Sequence, residues 1–96
     1  MTDQLPETLL ITLSGKDRPG VTSTIFATLS RAGVEVVDIE QIVLRGRLIL
    51  GVLVTAPRDW KKLSAAVVET AQALDMTVDV ERGVGDNRSR AVAAPT

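Results

Sequence analysis

Two short stretches of the chain, Thr8–Leu13 and Leu48–Val54, are apolar at neighbouring positions and not only at alternate ones. A strand of that kind buries both of its faces, so it belongs inside a sheet rather than at its border. In the first stretch Leu9, Ile11 and Leu13 share one face, and Leu10 lies with Thr12 on the other. The remaining segments must be arranged around these two inner strands. Ser14–Gly20 has turn chemistry, with Gly15, Asp17, Pro19 and Gly20. Val21, Ile25, Thr28, Leu29 and Ala32 then recur at helical spacing. Asp17 or a neighbour is expected to cap this helix, with Pro19 in its first turn and Gly33 as its stop.

Val34–Leu44 is rich in β-branched residues but interrupted by Asp38, Glu40 and Gln41, as in an edge strand with one wet side. Arg45-Gly46-Arg47 is a tight turn that makes a hairpin with Leu48–Val54. Pro57 opens or just precedes a second helix. Its apolar stripe is Trp60, Leu63, Val67, Ala71 and Leu74, while Lys61, Lys62, Glu69 and Gln72 face out, and Trp60 is assigned to the core. Thr77–Glu81 alternates as a half-buried edge strand, with Met76, Val78 and Val80 on its inner side. From Gly83 onward Gly, Asp, Asn, Ser, Ala and Pro dominate, as in a linker. The expected organisation is an N-terminal tail (1–7), one domain (8–82) and a linker (83–96) to a further C-terminal region.

The order β-α-β-β-α-β, with the doubly apolar strands inside, specifies an α+β, ferredoxin-like fold. It has a four-stranded antiparallel sheet of order 4-1-3-2 with both helices on one face. The bare face is expected to show Leu10 and one side of Leu48–Val54, a patch suited to an interface.

Composition removes several functions. The chain has no His and no Cys, so thiol nucleophiles, cysteine zinc sites, disulfides and Ser-His-Asp triads cannot be built. Its net charge is −1, which is unlike a strongly basic nucleic-acid or membrane-surface protein. Its two aromatic residues, Phe26 and Trp60, fall on expected helices, whereas RNA-recognition modules of this topology stack bases on strand aromatics. No apolar run approaches the roughly 20 residues that span a bilayer, and a cytoplasmic location is expected.

The strongest site candidate is Gly15-Lys16-Asp17-Arg18-Pro19-Gly20-Val21, between the first strand and the first helix. Free amides at a helix N-terminus hold a carboxylate or phosphate, and a glycine allows close approach. Asp17 can accept from an ammonium group. Carboxylate and ammonium together describe a free amino acid. The plainer reading is that these residues make the turn and cap the helix. Arg45 and Arg47 read as a solvated turn, and the carboxylates of Asp38 and Glu40 as the wet face of an edge strand or a contact for a partner's arginine. Phe26 divides between core edge and domain contact.

The run Asp17-Arg18-Pro19-Gly20-Val21-Thr22, with Gly33-Val34-Glu35, Asp38-Ile39-Glu40-Gln41, Arg45–Leu48 and Gly51-Val52-Leu53-Val54, resembles an ACT domain. Within that family it is similar to the N-terminal regulatory region of bacterial phosphoserine phosphatases of the mycobacterial and actinobacterial type. The resemblance covers about residues 8–82. It implies a non-catalytic, amino-acid-binding module of an enzyme of L-serine biosynthesis. L-serine would be bound where two such domains meet side by side. It also implies ligand-binding roles for Asp17, Arg18, Pro19, Gly20, Val21 and Glu35, and interface roles for Phe26, Asp38 and Glu40. No metal or cofactor is implied for this chain; Mg2+ is implied for the parent's catalytic domain. Two positions depart from serine-sensing members: Gly15 stands where some have His, and Glu35 where they have Asn. Glu35 could meet only a ligand's ammonium. No Asp-x-Asp phosphoryl-transfer triplet occurs, Asp79-Val80-Glu81 being nearest. The alternatives are an acylphosphatase-like small enzyme, disfavoured because Asp17 would repel phosphate, and a purely structural dimerisation module.

Overall fold

Strand β1 (Glu7–Lys16) is paired on both sides, antiparallel to β3 (Arg47–Thr55) and to β4 (Thr77–Val84). This is the inner position that its two apolar faces require. Strand β2 (Val36–Leu44) lies outside β3, so the sheet order is β2-β3-β1-β4, the expected order read from the opposite edge. Helices α1 (Val21–Arg31) and α2 (Trp60–Ala73) complete the βαββαβ chain. The computed structural model of the protein describes residues 7–84. Glu7 therefore opens β1 rather than closing a tail, and β4 extends to Val84, beyond the expected end of the domain at 82. The rest of the expected tail (1–6) and linker (85–96) lies outside the described residues.

The core forms where alternate strand residues meet the helices. Leu9, Ile11 and Leu13 of β1 and Leu48, Leu50, Val52 and Val54 of β3 are buried with Val21, Ile25 and Leu29 of α1 and Leu63, Val67 and Ala71 of α2. Each fully buried side chain of this size contributes about 1.5–3 kcal/mol relative to exposure. Thr28 and Thr70, whose hydroxyls lie 2.9 Å apart, join the two helices at the rim of this layer. Each helix ends on a left-handed residue. Gly33 (φ +73°) follows α1 as expected, and Asp75 (φ +59°) does the same after α2 without a glycine. The hairpin turns on Arg45 and Gly46, both at positive φ, the two-residue geometry that matches the twist of its strands.

Four expectations change. Ser14–Lys16 continue β1 instead of turning, because Gly15 is a close-approach glycine and not a turn glycine. A Cβ on Gly15 would lie 2.9 Å from Met76 Cγ and 3.3 Å from its Cα. Ser14 and Thr77 reinforce the same contact through their hydroxyls, 2.9 Å apart. Asp17 does not cap α1; Gly20 does, at φ +89° and without a side-chain hydrogen bond, and Pro19 lies outside the helix. Trp60 is not core. It lies half-buried at the rim, with the Arg82 guanidinium 5.1 Å and the Lys61 ammonium 5.9 Å from its ring centroid.

The fourth change concerns the apolar surface. On the face away from the helices Ile49 is exposed as expected, but Leu53 is buried and Leu10 half-buried, so most of the exposed patch lies elsewhere. The exposed large apolar residues are Val36, Val37, Ile39, Ile42, Val43 and Leu44 of β2, and Ile49 beside them on β3. The edge strand has no dry side. Among the described residues, no helix is long and apolar enough to cross a membrane.

The Gly15–Met76 contact makes a test of this packing. Gly15→Ala is expected to lower unfolding free energy by about 1–3 kcal/mol, the usual cost of overpacking. Urea denaturation would measure it. Combining it with Met76→Ala should cost less than the sum of the two single changes, because the added methyl then enters the space Met76 leaves.

Candidate functional site

The loop between β1 and α1 is held from both sides. The amide of Asp17 donates to the carbonyl of Gly46 at 2.9 Å, which fastens the loop to the hairpin turn. Nη2 of Arg18 donates to the carbonyl oxygen of Leu74, at the C-terminal end of α2. A cation there satisfies a carbonyl the helix leaves open and complements its dipole. Arg18 therefore has a fold-bearing contact at one of the positions expected to touch a ligand.

Gly20 opens α1. Its carbonyl accepts from the Thr24 amide at 3.0 Å, the first turn of helix bonding. The Val21 amide points back to the Arg18 carbonyl at 3.4 Å, and the Val21 side chain is buried in the core. The amides of Thr22 and Ser23 have no acceptor among the described residues. Neither of these residues was singled out in the sequence, although the second and third residues after a helix cap always carry such amides. No acidic residue occupies the first turn of α1 to neutralise its positive end. Above it stand Asp17, Arg18, Pro19 and Gly20, all exposed. The Asp17 carboxylate has no partner among the described residues. The geometry is an open cradle: donors at its floor for an anion, and one carboxylate at its rim for a cation.

Glu35 is not at this cradle. Its amide donates to Thr55 Oγ1 at 3.2 Å and its carbonyl accepts from the Thr55 amide at 2.9 Å, so it lies at the far end of β3. Asp17 is tied to Gly46, at the near end. The nine residues of β3 between them span about 26 Å at roughly 3.3 Å per residue. One chain therefore cannot bring Asp17 and Glu35 to the same small molecule. The other named residues lie along the strand and helix that connect these two ends. Asp38 and Glu40 are on β2, and the Asp38 carboxylate accepts from the amide of Ile39 at 2.9 Å. Phe26 is half-buried on α1 and packs against the core. It is one helical turn after Thr22, whose hydroxyl donates to Gln41 Oε1 at 3.0 Å, so it shares the side of α1 that looks toward β2.

Charge is divided between the two ends. Lys16, Arg18, Arg45 and Arg47 surround the loop and hairpin turn, with Asp17 among them. Glu35, Asp38 and Glu40 lie toward the other end of β2. A separate groove of about 500 Å3 runs between α1 and α2, lined by Thr28, Arg31, Asp59, Lys62 and Glu69 among others. Its charges are mixed, and neither the loop nor Glu35 reaches it. No group of three or more His, Cys, Asp or Glu among the described residues is placed to hold a metal ion.

Known proteins align with this arrangement over most of its length. The chain is 46% identical over 91 residues to a phosphoserine phosphatase of Streptomyces coelicolor, covering 93% of this chain and 22% of that protein. It is 46% identical over 77 residues to the phosphoserine phosphatase SerB2 of Mycobacterium tuberculosis, covering 77% of this chain and 19% of that protein. The chain thus spans about a fifth of the length of these relatives. Among solved structures, an ACT domain protein from Streptococcus pneumoniae superposes with a TM-score of 0.71 at 19% identity, covering 95% of this chain and 99% of that one. The ACT domain pattern itself matches residues 7–81. The strand order, the glycine-opened first helix and that match agree, and the chain belongs to the ACT domain family.

Proposed function

We propose that this chain is the amino-acid-binding regulatory region of a cytoplasmic phosphoserine phosphatase, and that L-serine is bound between two ACT domains. The observation that carries the reading is the separation of the cradle from Glu35 by the length of the sheet, at opposite ends of one exposed edge strand. A second copy laid antiparallel along β2 brings its Glu35 to the cradle of the first. Two equivalent sites arise, each with residues from both copies.

In each site the amides of Thr22 and Ser23, at the positive end of α1, hold the ligand carboxylate. Gly20 lets the ligand approach the backbone, and Asp17 accepts from its ammonium group. Glu35 of the second copy is a second acceptor for the same ammonium. Serine is favoured over other amino acids as the end product of the reaction for which the relatives are named. Occupancy strengthens the pairing of the domains and so biases a distant catalytic region, with a coupling on the order of 1–3 kcal/mol. That region, with any Mg2+ it uses, lies outside the described residues, which hold no metal-binding cluster.

Titration calorimetry with L-serine, glycine and O-phosphoserine tests the proposal. L-serine is expected to bind most tightly. Asp17→Ala and Glu35→Gln should each weaken it about tenfold, the effect of losing a charge-assisted hydrogen bond. Arg18→Ala should behave differently, lowering stability by about 0.5–1 kcal/mol through the lost contact with Leu74 while leaving affinity unchanged. No heat from any amino acid, with dimers persisting, would favour a purely structural pairing module. Tightest binding of the phosphorylated compound, with turnover, would favour a small enzyme.

A further inference from the structure

The face of the sheet away from the helices is not open at every point. Alternation sets Thr8, Leu10, Thr12 and Ser14 of β1 on that face, opposite Leu9, Ile11 and Leu13 in the core. On β3 the same face carries Ile49, Gly51, Leu53 and Thr55. The helices pack on the other side, and among the described residues no further element remains to cover this one. Ile49 is 39% exposed, as such a position should be, yet Leu53 is 3% and Thr8 2% exposed. Neither of the low values belongs on an uncovered sheet face. Thr8 Oγ1 is also buried with no hydrogen-bond partner among the described residues. Buried hydroxyls nearly always have one, so Thr8 lacks a polar group that the described elements do not supply.

The strand register shows what a cover must match. Glu81, Leu10, Leu53 and Asp38 stand in one row across the four strands. Asp79, Thr12, Gly51 and Glu40 form the next row. Cross-strand partners share a face, so each row has a carboxylate at either end and small or apolar residues between. The outermost Cα atoms of a row are about 14 Å apart, three strand spacings. The face turns basic only at the opposite end of these strands, where Lys16 pairs with Arg47. An occupant of the acidic end is therefore basic, with small apolar side chains.

The chain itself carries such a segment. Val84 pairs with Glu7, so the backbone leaves β4 beside Thr8. It continues with Gly85-Asp86-Asn87, which has turn chemistry, and then Arg88-Ser89-Arg90-Ala91-Val92-Ala93-Ala94. Beyond Asp86 there is no acidic residue. Residues 85–96 reach about 40 Å when extended, well beyond the width of a row. The other end of the chain fits less well. Met1–Pro6 contains Asp3 and neither Lys nor Arg, and would set acid against acid.

We propose that residues 85–96 lie across the acidic end of this face, with Arg88 and Arg90 toward the carboxylates that end the rows and Ala91-Val92-Ala93-Ala94 over Leu10 and Leu53. A backbone group of the same segment is the partner of Thr8 Oγ1. The stretch that composition marks as a linker is thereby a strap, and the face it covers is closed to other partners while it is seated. The strap is independent of the pairing of two copies, because it occupies the face of the sheet and not the β2 edge.

The chain has no cysteine, so single introduced thiols report cover. Leu53→Cys and Ile49→Cys variants of the 96-residue chain are treated with a thiol-reactive probe, and Trp60 fluorescence records that the fold is kept. Ile49→Cys is expected to react freely and Leu53→Cys slowly. Arg88→Glu with Arg90→Glu should speed the reaction of Leu53→Cys about tenfold, as lost ion pairs and new repulsions would. High salt should speed it in the same direction. Adding Asp38→Lys and Glu81→Lys to the arginine reversals should slow it again. Removing residues 1–6 should leave it unchanged. Leu10→Cys, from the same row, gives the same reading where Leu53→Cys disturbs the fold. Equally fast reaction at 49 and 53 overturns the cover. Slow reaction that survives reversal of both arginines overturns its assignment to residues 85–96, and so does protection lost on removing residues 1–6. Protection that disappears on dilution assigns the cover to a second copy and overturns the strap.

Discussion

The hydrogen-bonded position of β1 between β3 and β4 is the constraint on which the rest depends. Its inward face, Leu9, Ile11 and Leu13, is closed by both helices, and its outward groups are sheltered by two neighbours. Once β1 is central, the chain has only two borders left for β2 and β4. The segment after β1 must leave the sheet at its end and enter α1, and it does so through Gly20, whose positive φ turns the chain into the helix. The same exit leaves the amides of Thr22 and Ser23 without acceptors among the described residues. The cradle is thus a by-product of how the central strand hands over to its helix, sharpened by the absence of a side-chain cap.

Periodicity made the architecture legible in the sequence, because strands with two apolar faces and helices with one stripe leave few arrangements. Local chemistry was read less well where one residue type serves two purposes. Gly15 looked like a turn residue beside Asp17 and Pro19, yet it lies in β1 because Met76 occupies the space a side chain would need. The same contact leaves no room for a larger side chain at this position. Trp60 fell on the apolar stripe of α2, but the stripe runs out at the helix start, and its indole meets Arg82 and Lys61 instead of the core. Arg18 lies in the loop by sequence, but its length carries it to α2, a contact that loop composition does not encode.

The residues of the proposed site stand out in the sequence one by one, not as a place. Nothing in the spacing of Asp17, Gly20 and Glu35 says that β3 separates the first two from the third. The exposed apolar residues show the same limit from another side. The pattern located a sticky surface on the bare sheet face, and Ile49 is exposed there, whereas burial of Leu53 and exposure of Ile39, Ile42, Val43 and Leu44 move most of it to the edge. Edge exposure depends on which strand lacks a neighbour and how far the helices reach, both set by the assembled fold.

Trp60 is the sole tryptophan, and the chain has no tyrosine. It lies where α2 meets β4, across the sheet from β2. Ultraviolet emission from this protein therefore has one dominant source, seated beside two cations on the flank remote from the sticky border. Fluorescence would follow the loosening of α2 from β4 and stay largely blind to self-association. An optical melting curve and a hydrodynamic one would then read two separate events in the same sample.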